Sequence, residues 1–172
     1  MKKMRIPAAM VLAALVCAFA AGAVFAQDVA SPTPREVIDK VREAAEYLAA
    51  NGDAVLGEFN DPNGPWVYGD TYVFVMDCEN DFYAAHPMND IVGKHIAEFV
   101  DAKGNQSGIK ECAAGEIPEG AWVELYWHTL DSDEMVRKVN CIYKAPGSHY
   151  TLASGIYNST MTIDELNGLL GE

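Results

Sequence analysis

Alternating carboxylates are the first residues of this sequence whose spacing could support chemistry. Asp77, Glu79 and Asp81 stand at alternate positions, as the first ligands of a calcium-binding loop do. Phe82, however, occupies the position of the glycine that such a loop needs for its sharp turn, and Met88 occupies that of the closing glutamate. The pattern therefore predicts an exposed turn and no metal site.

The histidines are the next candidates, because histidine is the usual general base in nucleophilic catalysis. A nucleophile such as Ser154 would need a histidine and an orienting acid in a recognisable arrangement. No histidine stands in such a motif, whether His86, His95, His128 or His149. We expect neither enzyme activity nor a cofactor.

The first 26 residues have the order of an export signal. Lys2, Lys3 and Arg5 precede an apolar run over 8–24, and Val24-Phe25-Ala26 forms a small-residue cleavage site before Gln27. We predict that residues 1–26 are a cleaved signal peptide, which places the protein in the periplasm or outside the cell. The alternative is an uncleaved leader that anchors the protein to the plasma membrane, for which a 17-residue run is short.

The predicted mature protein is strongly acidic. Removal of residues 1–26 leaves 146 residues, with nine basic side chains against 25 acidic ones and a net charge of −16. A field of this sign repels phosphate backbones, so we exclude nucleic acid as a partner. Half of the residues are apolar, which is enough for the core of one domain.

Three cysteines remain in the mature chain, which allows one disulfide and one free thiol in an oxidising compartment. Cys78, Cys112 and Cys141 form no C-x-x-C motif, so thioredoxin-like chemistry and a structural zinc site are not indicated. The spacing leaves the pairing open. We favour a Cys112–Cys141 bridge, because the helix that carries Cys112 is expected to cross the sheet that carries Cys141.

Helices are predicted at both ends of the mature chain and in its middle. Thr33-Pro34-Arg35-Glu36 is a capping box that begins a long amphipathic helix, which breaks near Asn51-Gly52 and resumes through Phe59. A short helix is predicted at 107–114. A second capping box, Thr162 with Glu165, begins a terminal helix.

Five strands are predicted between these helices. A hairpin of 72–76 and 82–86 comes first, and strands at 122–127, 136–144 and 150–157 follow the middle helix. This order predicts an α+β fold with a five-stranded, mostly antiparallel sheet. Alternation places Tyr72, Phe74 and Met76 on one face of the sheet and Val73, Val75 and Asp77 on the other. The pattern leaves open which of these two faces packs on the long helix.

The ordered motifs of the chain resemble the single Cache type 2 family of PAS-like extracellular sensor domains. The resemblance covers about 35–160 and rests on the following segments: Phe59-Asn60-Asp61-Pro62-Asn63-Gly64-Pro65-Trp66, Gly69-Asp70-x-Tyr72-Val73-Phe74-Val75-x-Asp77, Ala85-His86-Pro87, Gly93-Lys94, Asp101-x-Lys103-Gly104, Trp122-Val123-Glu124-x-x-Trp127, Pro146-Gly147 and Gly155-Ile156-Tyr157. It divides the chain into the signal peptide, a short leader segment at 27–34, the Cache domain at 35–160 and a short C-terminal helix at 161–172. Cys141 departs from the family, whose members often carry an aromatic residue there.

The resemblance implies sensing of a small molecule, and many members of the family recognise small carboxylates. A carboxylate pocket needs cationic or donor groups among aromatic walls. The side chains that fit this description are His86, Lys94 and Lys138 as cationic or donor groups, and Trp66, Tyr68, Tyr72, Trp127 and Tyr143 as walls and further donors.

The family's receptors usually continue into a transmembrane helix and a cytoplasmic module, whereas this sequence ends after one short helix. The resemblance therefore predicts an exported sensor domain that binds a small organic acid and relays its state to a membrane receptor or kinase. A homodimer is left open. The alternative is a structural or interaction module with a vestigial pocket that docks on a membrane protein.

Overall fold

A computed structural model describes residues 30–130 and 132–171. The predicted signal peptide and Cys17 lie outside these residues. Helix α1 (Pro34–Asn51) begins at Thr33, whose hydroxyl accepts a hydrogen bond from the Glu36 N–H while the Glu36 carboxylate accepts one from the Thr33 N–H. A 3-10 turn at Gly52–Val55 and helix α2 (Leu56–Phe59) follow, so the predicted break and continuation are confirmed.

The main sheet has five antiparallel strands, and the predicted α+β fold is confirmed. The strands are β3 (Phe74–Asp77), β4 (Phe82–Ala85), β5 (Ala121–Trp127), β6 (Val136–Lys144) and β7 (Tyr150–Tyr157), in the spatial order β4-β3-β7-β6-β5. The predicted strand at 72–76 is split, because Tyr72 belongs to a separate two-stranded ribbon of β1 (Val67–Tyr68) and β2 (Thr71–Tyr72). Helices α3 (Ser107–Gly115) and α4 (Ile163–Gly168) confirm the two predicted short helices.

The two faces of the sheet cover different cores. Val73, Val75 and Val139 pack with α1 in the larger core. Tyr72, Phe74 and Met76 belong to a second core on the opposite face, together with Ile96, Phe99 and Ala114 of the segments that cover it. This answers the question that strand alternation left open: the aromatic side chains face away from α1 and towards α3.

The disulfide joins Cys78 to Cys112, with 5.6 Å between the two Cα atoms, so the favoured Cys112–Cys141 pairing was wrong. The physical reason is the alternation of β6. Asn140 and Ile142 face α3, whereas Cys141 between them packs in the core beneath α1 and is a free, buried thiol. The bridge instead ties α3 to the turn after β3.

Both outer edges of the sheet are covered. On β4, the Tyr83 N–H donates to the Lys94 carbonyl and the Gly93 N–H donates to the Tyr83 carbonyl. On β5, the outward Trp122 N–H donates to Asn167 Oδ1 at 2.9 Å, and the Tyr126 N–H donates to Asp101 Oδ2 at 3.2 Å. Side chains and a loop therefore occupy backbone groups that a neighbouring strand would use.

Within 30–130 and 132–171, no helix combines the length and the apolar character that crossing a bilayer requires.

Candidate functional site

A small cavity lies on the sheet face opposite α1, beneath α3. Its free volume is about 20 Å³, which is room for one or two water molecules. Sheet residues, α3 and the segments around 86–99 and 125–127 line it: Tyr72, Phe74, Tyr83, His86, Ile91, Phe99, Ser107, Glu111, Leu125, Trp127 and Asn140. A wider open groove of about 460 Å³ runs beside the start of α1, but its lining carries three carboxylates, Glu36, Asp39 and Glu43, against one cation, Lys40, which disfavours an organic acid there.

Lys138 is a buried cation at the edge of this cavity, with 1% of its surface exposed. Its Nζ lies 4.1 Å from the centre of the Tyr72 ring, 4.8 Å from that of Tyr157 and 5.9 Å from that of Phe74. Among the described residues, no carboxylate forms an ion pair with it. Aromatic faces stabilise a cation only in part, so this ammonium retains the capacity to attract an anion.

Glu111 and Asn140 are a second buried polar pair in the cavity wall. Asn140 Nδ2 donates to Glu111 Oε1 at 2.6 Å, while Asn140 Oδ1 is buried without a hydrogen-bond partner in the described part of the chain. Burial raises the pKa of Glu111 to about 7, against the opposing effects of the Asn140 hydrogen bond and the Lys138 charge. A carboxyl group of this kind exchanges its proton near neutral pH.

His86 is held as a neutral imidazole. Burial, and then the charges of Lys138 and His128, hold the pKa of His86 well below its usual range. Nδ1 accepts a hydrogen bond from the Met88 N–H at 2.9 Å, so the proton of the neutral ring is on Nε2. The His86 N–H donates to Asn60 Oδ1 at 2.9 Å, which fixes the strand end, and the ring meets that of Tyr72 edge-on. His86 thus offers one N–H donor to the cavity.

Four of the eight candidate ligand residues lie together. Tyr72, His86 and Trp127 line the cavity, and Lys138 lies against its Tyr72 wall. These four side chains come from β2, the residue after β4, β5 and β6, and they share the side of the main sheet that faces away from α1.

The other four candidates lie outside this cavity. Trp66, Tyr68 and Tyr143 pack with the α1 core on the opposite face of the sheet. Trp66 stacks on Phe59, with 4.8 Å between ring centres, and the Tyr68 hydroxyl is 2.8 Å from the Ser154 hydroxyl. Lys94 is exposed outside the cavity, 3.7 Å from Asp90. Residue type suggested these four side chains, but their positions in the fold keep them from reaching the cavity.

Sequence reasoning missed the acidic and amide groups of the cavity. Asn140 stands two residues after Lys138 on the same strand and so shares its face. Ser107 and Glu111 are one helical turn apart on α3 and share its buried face. Strand alternation from Lys138 indicates Asn140, and the helical spacing from Ser107 indicates Glu111. Used together, these two patterns could have found both residues.

The alternating carboxylates outside the cavity differ in exposure. Glu79 and Asp81 are exposed as expected for a turn, but Asp77 is buried, which that expectation missed. Its carboxylate accepts hydrogen bonds from the Asn80 backbone and side-chain amides and lies 3.3 Å from His149 Nε2. Asp77 is buried because its carboxylate makes these contacts within the hairpin, which is a structural role.

Comparison with known proteins identifies a family and a fold. The model of the single Cache domain 2 family matches residues 27–162. No curated protein matches the sequence.

Three solved structures share the fold at low sequence identity. One is described as the structural basis for carboxylic acid recognition by a Cache chemosensory domain; it has a TM-score of 0.56 and 19% identity, over 71% of this chain and 86% of that one. A periplasmic sensor domain of a chemotaxis protein has a TM-score of 0.56 and 20% identity, over 71% and 88%. A methyl-accepting chemotaxis protein from Vibrio parahaemolyticus has a TM-score of 0.59 and 17% identity, over 77% and 89%. These structures confirm the PAS-like Cache fold.

Proposed function

Since the chain belongs to the single Cache domain 2 family, we propose that it is an exported sensor domain that binds a small organic acid in the cavity beneath α3. The members of this family are ligand-sensing domains, and the general role of the family is ligand sensing rather than catalysis. The class of ligand, its residues and the partner are what this proposal adds.

The observation that carries the proposal is the buried ammonium of Lys138. Moving a cation out of water costs several kcal/mol unless an opposite charge compensates it. Three aromatic rings surround Lys138, and within the described residues it has no ion-pair partner. A ligand carboxylate beside Nζ supplies that charge, which agrees with the carboxylic acid recognition ascribed to one structure of the same fold.

The neighbouring groups complete an anion site. The Nε2–H of His86 is a neutral donor for a second oxygen, and Tyr72 and Trp127 provide flat apolar walls for a short carbon chain. No role is proposed for Lys94, because its side chain is exposed beside Asp90.

The size of the cavity connects binding to signalling. A free volume of about 20 Å³ is too small for an organic acid of more than a few atoms, so its entry has to displace α3 or the segments that cover the cavity. A ligand that fits only the displaced arrangement shifts the population towards it. A membrane receptor or kinase that contacts these segments, or a second copy of the chain, would then sense the ligand.

The same small volume favours a second candidate function. A cavity that side chains almost fill is what a vestigial pocket would look like, and the domain would then act as an interaction module that docks on a membrane protein. Ligand-dependent stabilisation separates the two functions, because a ligand that binds only the native state raises its stability by mass action.

The test is a thermal-shift screen of the purified protein with formate, acetate, propionate and lactate, and with methylamine as a cationic control. At a hundred times its dissociation constant, a ligand adds about 2.7 kcal/mol to the free energy of unfolding, which raises Tm by several degrees. We expect an acid to raise Tm and Lys138→Met to abolish that shift. Lys94→Met removes the same charge outside the cavity and should respond as the wild type does.

Two results would overturn the proposal. If no acid changes a cooperative melt, the interaction module becomes the better description of the protein. If Lys138→Met folds and still responds fully, the ligand lies outside this cavity.

Export through residues 1–26 is part of the proposal and has its own test. N-terminal sequencing of the protein isolated from the periplasm should begin at Gln27. A chain that keeps Met1 and sediments with membranes would support the anchored alternative instead.

A further inference from the structure

We propose that Glu111 is a proton-linked binding residue: its carboxylate acts on Lys138 from beyond ion-pair distance while the cavity is empty, and it takes up a proton when a ligand carboxylate enters. This inference rests on the proposed function, because it requires that the site bind an organic acid.

Geometry joins the groups involved into one buried cluster. Glu111 and Lys138 are each 1% exposed, and Asn140 lies between them as the hydrogen-bond partner of the first and the neighbour of the second on β6. A Cβ placed on Gly155 would meet Asn140 Oδ1 at 2.0 Å and Lys138 Cε at 3.0 Å, so both side chains cross the same glycine of β7. The Lys138 and Asn140 side chains therefore lie side by side, Asn140 bonds to the Glu111 carboxyl group, and the Lys138 charge acts on that carboxyl group without an ion pair between them in the described part of the chain.

The other titratable side chains that face Glu111 are neutral or belong to tyrosine. Tyr72 of β2 and Tyr83 of β4 have pKa values raised by burial, and next by Tyr157 for Tyr72 and by the Glu111 charge for Tyr83. β7 contributes Tyr157. His86 is neutral because burial lowers its pKa.

The remaining elements against α3 add no further charge to the cavity wall. β5 contributes Leu125 and Trp127, and the 3-10 turn at Ile96–Glu98 contributes the buried Ile96, while its Glu98 is exposed. Among the described residues of the cavity, Lys138 and Glu111 are thus the groups whose charges must balance.

Entry of a ligand carboxylate changes that balance. Two anions would face one cation in a space closed to water, and like charges in such a space cannot both remain ionised at little cost. Burial has already brought the pKa of Glu111 to about 7, so this side chain is the group that accepts a proton. The ligand anion and one proton therefore enter together, and no net charge is added to the interior.

Asn140 can serve both protonation states of Glu111. Its Nδ2 donates to the ionised carboxylate, and its Oδ1 is buried without a partner in the described part of the chain. When Glu111 is protonated, rotation of the amide lets that oxygen accept the new O–H while the amide nitrogen turns to the other side. An asparagine is suited to this position because it offers a donor and an acceptor on one planar group.

The experiment is calorimetric titration of the purified protein with acetate at pH 6, 7 and 8, in pairs of buffers with different ionisation enthalpies. Affinity should be about tenfold lower at pH 8 than at pH 6, because the free site must first gain a proton. Uptake should approach one proton per acetate at pH 8 and fall towards zero at pH 6.

Glu111→Gln mimics the protonated side chain and keeps a group that can bond to Asn140. It should bind acetate with an affinity that does not change between pH 6 and 8, and with no proton uptake. Glu116→Gln removes the same charge from the exposed end of α3 and should keep the pH dependence of the wild type.

The outcomes separate this inference from the function beneath it. Acetate binding without pH dependence or proton uptake in the wild type overturns the role of Glu111 and leaves the acid site intact. A cooperative melt with no binding of acetate, formate or propionate at any of these pH values overturns the proposed function itself. The pH dependence and proton uptake of the wild-type protein test the role of Glu111 even if Glu111→Gln does not fold.

Discussion

Gly155 is the position where the fold and the proposed site depend on the same missing side chain. It is paired with Asn140 across β6 and β7. A Cβ there would lie 2.0 Å from Asn140 Oδ1, 2.6 Å from the Val139 carbonyl oxygen and 3.0 Å from Lys138 Cε. Only the asparagine and lysine side chains can swing away. The Val139 oxygen belongs to the backbone of β6, so relief from that contact requires the two central strands to separate.

We therefore expect Gly155→Ala to lower the free energy of unfolding by about 3 kcal/mol. Overpacking of a close-packed core costs about 1–3 kcal/mol, and displacing Asn140 leaves the buried Glu111 carboxyl without its 2.6 Å donor, a loss of about 1–3 kcal/mol that adds only in part. If Gly155→Ala remains folded, acetate should no longer raise its Tm.

Urea unfolding followed by tryptophan fluorescence measures this difference. Gly57→Ala is the matched control, because Gly57 lies in α2 with no atom within 4 Å of its added Cβ; it should be neutral or stabilise by up to about 1 kcal/mol. A Gly155→Ala protein within about 0.5 kcal/mol of the wild type would refute the reasoning, because it would mean that the strands accommodate the methyl group freely.

Four further predictions concern groups around the site and the core. Replacing Cys78 and Cys112 by serine removes a disulfide between residues 34 apart and should lower the free energy of unfolding, measured in urea, by about 3–4 kcal/mol. An unchanged free energy of unfolding would mean that the wild-type protein does not form this disulfide. Burial raises the pKa of the Cys141 thiol to about 12, so a thiol reagent should label it only after unfolding, and rapid labelling of the native protein would contradict its placement. Burial tends to raise the pKa of Asp101, but donors from Asn105, Lys103 and Tyr126 outweigh it and hold that pKa below its usual range. The ionised Asp101 carboxylate therefore contributes to the free energy of unfolding above about pH 4, and this contribution is lost as pH falls further. Asp101→Ala should lower the free energy of unfolding by about 2 kcal/mol at pH 7. The raised pKa of Glu111, about 7, means that the native protein holds a proton that the unfolded chain releases above about pH 4.5; stability without ligand should fall as pH rises from 5 to 7, and this slope should be absent in Glu111→Gln.

Local patterns predicted the elements because each depends on residues close in sequence. The capping boxes at Thr33 and Thr162 fixed the starts of α1 and α4, and period-two runs fixed β6 and β7 at their observed bounds. The split at Val73 was missed, because Tyr72 leaves the main sheet to pair with Val67, a contact that the strand pattern alone does not show.

The candidate site was predicted only in part because it depends on which face of the sheet each side chain occupies. Lys138 and His86 were found by residue type, but Tyr143 and Trp66 have the same appeal and lie beneath α1. Glu111 lies in a short helix, and its spacing from Ser107 indicates a shared face without showing which strand that face meets. The same missing information produced the wrong cysteine pairing, since alternation puts Cys141 on the face that α3 does not cover.

The covered edges of the sheet have a consequence for self-association. A free edge strand is a template on which another chain can add a strand, and proteins that leave one open are prone to polymerise. Here Asn167 and Asp101 accept from the outward N–H groups near the two ends of β5, and the segment at Gly93–Lys94 bonds to the outward N–H and carbonyl of Tyr83 on β4. Growth of fibrils by strand addition would first have to break these bonds. A domain whose sheet edges are covered in this way carries its own protection against amyloid-like assembly.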